Sequence, residues 1–227
     1  MNATTLILLP GLDGTGELFR PFIAAAPYGV ATIPVAYPTH LGSYEEIEPE
    51  ARDKLADNSV ILAESFSGPL GVRLARDPRV RALILCNSFV SPPRWSRLRH
   101  LAIGPLFARR PPASLLRWLL VGNAAPPGLV EKVQEAIQRV PASVVARRLG
   151  QALSCDERSA LSTLAKPVFY LRGLNDALVP SRSWREISSL RPEARIAEIL
   201  GPHLLLQVEP EACWEAILAM LTKPGAD

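Results

Sequence analysis

Short runs of consecutive apolar, often β-branched residues alternate along the chain with longer stretches whose apolar positions recur at helical spacing. Runs that are apolar throughout mark strands buried on both faces, as in a parallel sheet covered by helices on each side. The pattern predicts strands at Thr5–Leu9, Ala31–Ala36, Val60–Ala63, Ala82–Cys86, Val168–Leu171 and Arg195–Ile199. Helices are predicted at Gly16–Ala26, Tyr44–Ala56, Gly68–Arg76, Ser181–Leu190 and Glu211–Leu221. The alternation breaks between Pro92 and Leu164, where helical stretches follow one another between Pro111-Pro112, Pro126-Pro127 and Pro141. Such a block between two strands reads as a helical cap at 92–164 on an α/β core at 1–91 and 165–227.

Composition narrows the class without changing the architecture. The chain has 227 residues, 48% of them hydrophobic and 21% charged, which suits one large globular domain rather than a disordered segment. The apolar run Leu6–Leu9 has no basic start and stops at Pro10-Gly11, too short for a signal peptide or an integral membrane segment. Three cysteines, Cys86, Cys155 and Cys213, lack metal-ligand spacing and predict incidental thiols in a reducing, cytoplasmic compartment. A net charge of +3 argues against a nucleic-acid partner. Eight arginines (Arg79, Arg81, Arg94, Arg97, Arg99, Arg109, Arg110, Arg117) nevertheless fall between Pro78 and Val130 with no carboxylate among them. With the apolar residues Trp95, Leu98, Leu101, Ile103, Phe107, Leu115, Leu116, Trp118 and Leu119 they form either ordinary amphipathic helices or a surface for an anionic substrate.

Candidate chemistry begins at Ser59-Val60-Ile61-Leu62-Ala63-Glu64-Ser65-Phe66-Ser67-Gly68, an apolar strand meeting a helix at a sharp turn. The run resembles the nucleophile elbow of the α/β-hydrolase family, G-x-S-x-G, with Ser65 at the nucleophile position. Ala63 and Ser67 replace the two glycines but keep the small size that close packing of strand and helix requires. Ser67 is the rival nucleophile, yet it would put Pro69 where the small residue belongs. A serine at a strand end is also an ordinary turn or cap residue.

A serine hydroxyl needs a general base, and that base needs an orienting acid. His203, in Leu200-Gly201-Pro202-His203 after the last strand, stands where the family carries its histidine; His40 and His100 are the alternatives. The segment Gly173-Leu174-Asn175-Asp176-Ala177-Leu178-Val179-Pro180 matches the family pattern G-x-x-D-x-x-V-P and implies Asp176 as the acid, although a turn aspartate would fit too. The earlier position, Cys86-Asn87-Ser88, offers no carboxylate. The order Ser65, Asp176, His203 is the order of this family. The resemblance further implies an oxyanion hole from the N–H groups of Phe66 and of Leu12, in Pro10-Gly11-Leu12-Asp13-Gly14-Thr15-Gly16, where relatives carry His-Gly in place of Pro10-Gly11. Those glycines match neither the phosphate-loop nor the dinucleotide spacing.

The expected protein is thus an α/β-hydrolase-fold serine esterase with a trimmed, mainly parallel sheet of about six strands. It needs no metal or organic cofactor, and its partner is a small-molecule ester or thioester. A carboxylesterase is the first expectation. A thioesterase or acyltransferase uses the same residues, and the Leu-Pro-Gly-Leu-Asp-Gly-Thr-Gly loop resembles one in some plastid acyltransferases. A ligand-binding protein with the fold but little turnover is the alternative from another class.

Overall fold

The structure, a computed structural model, describes residues 4–93, 111–122 and 125–222. Six strands, β1 (Thr5–Leu9), β2 (Ala31–Pro34), β3 (Ser59–Glu64), β4 (Val80–Cys86), β5 (Val168–Gly173) and β6 (Arg195–Ile199), form one sheet in the order β2-β1-β3-β4-β5-β6. Every pairing is parallel. The described helices are α1 (Arg20–Ala24), α2 (Tyr44–Arg52), α3 (Gly68–Leu74), α4 (Ala113–Leu116, continued by a wider turn to Val121), α5 (Leu129–Gln138), α6 (Ala142–Ala152), α7 (Arg158–Ser162), α8 (Ser181–Leu190), α9 (Leu205–Val208) and α10 (Pro210–Thr222). Among the described residues, no helix is long and apolar enough to cross a membrane.

The continuous apolar runs are explained by two cores. Ile7, Leu9, Ile61, Ala63, Leu83, Leu85 and Tyr170 face one side of the sheet, packed under α2, α3 and α8. Their neighbours Leu6, Leu8, Val60, Leu62, Ile84, Cys86 and Leu171 face the other, under α1, α9 and α10. Strand side chains alternate between faces, so a central strand covered on both sides has no polar positions to offer. The edge strands β2 and β6 are half-exposed, and Pro34, which has no N–H for a further strand, lies on an edge.

All six predicted strands are present, with ends that differ by up to two residues. The helix expected at Gly16–Ala26 is a tight turn, Glu17–Phe19, followed by α1, because Gly16 opens the segment at a left-handed φ of 71° and Pro21 sits in the first helical turn. The helix expected to reach Ala56 stops at Arg52; Arg79 takes the carbonyls of Arg52 and Leu55 at 3.4 and 3.1 Å and closes that end. Between β4 and β5 the described residues hold the helices α4 to α7 and no strand.

The strand order has a direct consequence for the site. From β1 the chain runs outward to β2, then returns across to β3, so the loops leaving β1 and β3 diverge at their carboxyl ends. In open parallel sheets that divergence forms the crevice where ligands bind. The loop Pro10–Gly16 and the Ser65 turn flank it.

Candidate active site

Ser65 follows β3 and holds a left-handed φ of 49°, a conformation that costs a non-glycine residue strain and turns its side chain away from the sheet. The strain is held by packing. A Cβ on Gly68 would lie 2.0 Å from Ser88 Oγ, and one on Gly71 would lie 2.7 Å from Ala63 Cβ, so α3 and the sheet approach as closely as small residues allow. The turn's carbonyls are also fixed: Ser88 Oγ donates to Ser65 C=O at 2.5 Å and the buried Tyr44 O–H donates to Phe66 C=O at 2.7 Å. In a trans peptide the N–H points opposite to its C=O. The Phe66 N–H is therefore turned away from Ser88.

Ser67 is buried and committed elsewhere. Its hydroxyl donates to Pro10 C=O, so its bond to Tyr37 at 2.6 Å is one in which the tyrosine donates. Burial pushes Tyr37 well above the usual phenol range, against the opposing influence of Ser67, which keeps the donor protonated.

Ser65, Asp176 and His203, separated by up to 138 positions, meet at the carboxyl end of the sheet. Ser65 Oγ lies 2.9 Å from His203 Nε2, and His203 Nδ1 lies 3.0 Å from both carboxylate oxygens of Asp176. An ionised carboxylate only accepts, which assigns the ring proton to Nδ1 and leaves Nε2 to accept from the serine hydroxyl. Asp176 is held in turn by the N–H groups of Leu178 and Val179 at 2.8 and 3.0 Å. Burial opposes the charged form of His203, but the charge and hydrogen bond of Asp176, with the Glu64 carboxyl behind, outweigh it and raise its pKa above the ordinary histidine value.

Leu12 stands in a tight turn whose Gly14 N–H bonds to Gly11 C=O at 3.1 Å. That bond turns the Gly11–Leu12 peptide so that the Leu12 N–H points out of the turn. His40 is exposed and forms no side-chain hydrogen bond with Ser65 or Asp176, and His100 lies outside the described residues.

Several contributors carry no sequence signal of their own. Asn87, at φ 43°, donates to the carbonyls of Pro202 and His203 at 3.0 and 2.8 Å and accepts from Gly173 N–H at 2.7 Å. It ties the end of β4 to the loops carrying Asp176 and His203, at a place that looked empty because it holds no carboxylate. Glu64, beside Ser65 and 2% exposed, has one oxygen 3.3 Å from Gln207 Nε2. Its other oxygen and Gln207 Oε1 have no partner among the described residues. Burial pushes Glu64 up to about 7, against the attraction of His203 and the Gln207 bond, so the carboxyl holds its proton to higher pH than an exposed one does.

The arginine cluster divides. Arg79 grips Asp77 at 2.9 Å and Arg81 bonds Thr4 Oγ1 at 2.9 Å, both at the end of the sheet opposite Ser65. Arg117 lines a cleft of about 400 Å³ with Trp118, Leu200 and Pro202, next to the His203 loop. Arg94, Arg97, Arg99, Arg109 and Arg110, with Trp95, Leu98, Leu101, Ile103 and Phe107, lie outside the described residues. All three cysteines are buried free thiols, and among the described residues no group of three or more metal-ligating side chains comes together.

A curated relative from Azorhizobium caulinodans, named for carbamate hydrolysis, is 26% identical and aligns over 95% of this chain and 90% of its own length. Two solved structures align over 98% of this chain, each with a TM-score of 0.79: an enol-lactonase from Burkholderia xenovorans, 18% identical over 93% of its length, and a thermophilic esterase from Thermogutta terrifontis, 20% identical over 90%. At those identities the likeness shows the fold. The model of the alpha/beta hydrolase family matches residues 6–216, and with that span the chain belongs to the alpha/beta hydrolase family.

Proposed function

We propose that this chain is a serine hydrolase of carboxylic esters, with Ser65 as nucleophile, His203 as general base and Asp176 as its orienting acid. The observation that carries the reading is the 2.9 Å approach of Ser65 Oγ to a His203 Nε2 left free to accept by Asp176 on the other nitrogen. His203 takes the hydroxyl proton as Ser65 attacks the ester carbonyl. The negative charge on the carbonyl oxygen is met by the N–H groups of Leu12 and Phe66. Collapse expels the alcohol, which takes the proton from His203 and leaves an acyl group on Ser65. Water, deprotonated by His203, then attacks the acyl carbon and releases the carboxylic acid with Ser65 restored. Asp176 stabilises the imidazolium that forms in each half-reaction.

The family and the activities for which its relatives are named support hydrolysis. The Azorhizobium relative also favours testing carbamates, whose carbonyl is open to the same attack. The experiment is a panel of activated short-chain esters and aryl carbamates, with a fluorophosphonate probe to label the nucleophile. Labelling at Ser65 and loss of about 10⁴-fold or more of turnover in Ser65→Ala are expected. Undiminished turnover by the alanine variant would refute the assignment.

A further inference from the structure

Arg148, on α6, is a fully buried side chain, and the four hydrogen bonds of its guanidinium all go to main-chain carbonyls. Nε donates to Leu41 C=O at 3.1 Å and Nη2 to Pro38 C=O at 3.2 Å. Nη1 donates to Leu12 C=O at 3.2 Å and to Asp13 C=O at 2.8 Å. A guanidinium taken out of water is expensive to hold unless its donors are satisfied, and pairing with a carboxylate is the usual solution. Here the charge is directed at backbone instead. Its fit against the Leu12 loop is tight: a Cβ on Gly14, whose φ is 70°, would lie 2.3 Å from Nη1.

The covalent connectivity shows what those bonds do. Asp13 C=O and Gly14 N–H belong to one peptide group, and Gly11 C=O and Leu12 N–H to another. Arg148 Nη1 donates to the first carbonyl, and the N–H of that same peptide donates to the second at 3.1 Å. The N–H at the far end of the second peptide is Leu12's, the proposed oxyanion donor. The arrangement is a chain of two head-to-tail peptide dipoles with a positive charge at its closed end. Hydrogen bonds in such a chain polarise one another, more so where water is excluded.

We infer that Arg148 is the positioning residue of the oxyanion hole: its guanidinium aligns and polarises the Asp13–Gly14 and Gly11–Leu12 peptides so that the Leu12 N–H stabilises the carbonyl oxygen of the reacting ester. The inference rests on the hydrolase reading above and deepens it. It also makes α6, which lies in the block between β4 and β5, a support of the catalytic centre. The charge enters only through the loop, so its effect strengthens as negative charge develops on the substrate oxygen and contributes little to ground-state binding.

The test compares the parent with Arg148→Lys, Arg148→Gln and, as a control on the same helix, Arg147→Ala; exposed Arg147 pairs with Glu46. Fluorophosphonate labelling and ester turnover of the parent come first; failure there would overturn the hydrolase reading whatever the variants do. In folded variants, checked by circular dichroism and melting temperature, Arg148→Gln is expected to lose about ten- to hundredfold in kcat with KM changed by less than about threefold. Arg148→Lys, which keeps the charge but loses the fork, should fall between the glutamine variant and the parent, and Arg147→Ala should match the parent. Affinity for a trifluoromethyl ketone, which forms the oxyanion on Ser65, should fall in step with kcat/KM, while affinity for the product acid stays level. If the glutamine variant melts early, the lysine variant carries the comparison. The inference is overturned if folded Arg148→Gln, or Arg148→Lys where the glutamine variant does not fold, keeps kcat within about twofold of an active parent, or loses ketone and product-acid affinity equally.

Discussion

Replacing Glu64 by glutamine is expected to stabilise the protein, and to do so only above a definite pH. The carboxyl is buried beside Ser65 and pushed from about 4.5 up to about 7, mainly because ionisation inside the sheet is unfavourable. Below about pH 4.5 the group is protonated folded and unfolded, so its ionisation costs nothing. Between the two values the unfolded chain releases a proton that the folded chain retains, and rising pH favours unfolding. Above about 7 both states are ionised and the penalty has reached its ceiling, about 3 kcal/mol for a shift of that size. The glutamine side chain has the same shape, carries no charge at any pH, and offers an amide N–H to the region where Gln207 Oε1 has no donor. Urea unfolding of parent and variant at matched ionic strength, near pH 5 and near pH 8, reads the effect because titrating groups remote from Glu64 cancel in the difference. The variant's advantage should be larger near pH 8 by about 2–3 kcal/mol, a gain of roughly 4–12 °C in Tm for a chain of this size. An advantage of the same size at both pH values, or one that shrinks as pH rises, would refute the account of Glu64 as a buried, protonated acid.

Three further outcomes follow from the same geometry. Because Asp176 and Glu64 raise His203 above the ordinary histidine value and hydrolysis needs the neutral ring, the acid limb of kcat/KM for a neutral ester should lie above that value. Asn87→Ala strands Gly173 N–H and the carbonyls of Pro202 and His203 and puts alanine at φ 43°. It should cost about 1–3 kcal/mol in chemical denaturation and at least about tenfold in kcat, through loosened placement of His203. Gly68→Ala forces a methyl to within 2.0 Å of Ser88 Oγ and 2.5 Å of Phe89 C=O. A loss of about 1–3 kcal/mol, seen as a drop of several degrees in Tm, is expected from that overpacking.

Some of the site is legible in the sequence. Asp176 and His203 can be named because each sits in a loop directly after a strand, and strands that are apolar throughout are easy to find. The Ser65 turn is readable despite its missing glycines, because sterics ask for small residues at 63 and 67 rather than for glycine itself. Asn87, Tyr37, Tyr44 and Gln207 are not legible. Each acts through one hydrogen bond or a few to residues that are, in most cases, dozens of positions away, and no local pattern distinguishes such a side chain from an ordinary polar one. Arg148 is hidden for a related reason: on an amphipathic helix an arginine normally faces water, and α6 buries this one only because the loop at Leu12 to Gly14 lies against it.

What the amino-acid sequence determined by itself was the architecture and the candidates for the reacting side chains. Apolar periodicity specifies which segments must be strands, and the chemistry of acyl transfer limits which residue types can serve after them. What only the tertiary structure decided was electrostatic: that Glu64 is held near its proton, that His203 is biased toward its charged form, and that a buried guanidinium backs the Leu12 peptide. Those properties depend on burial and on hydrogen-bond distances, about 3 Å, between groups remote in the chain. Neither quantity exists until the sheet and its helices have closed around them.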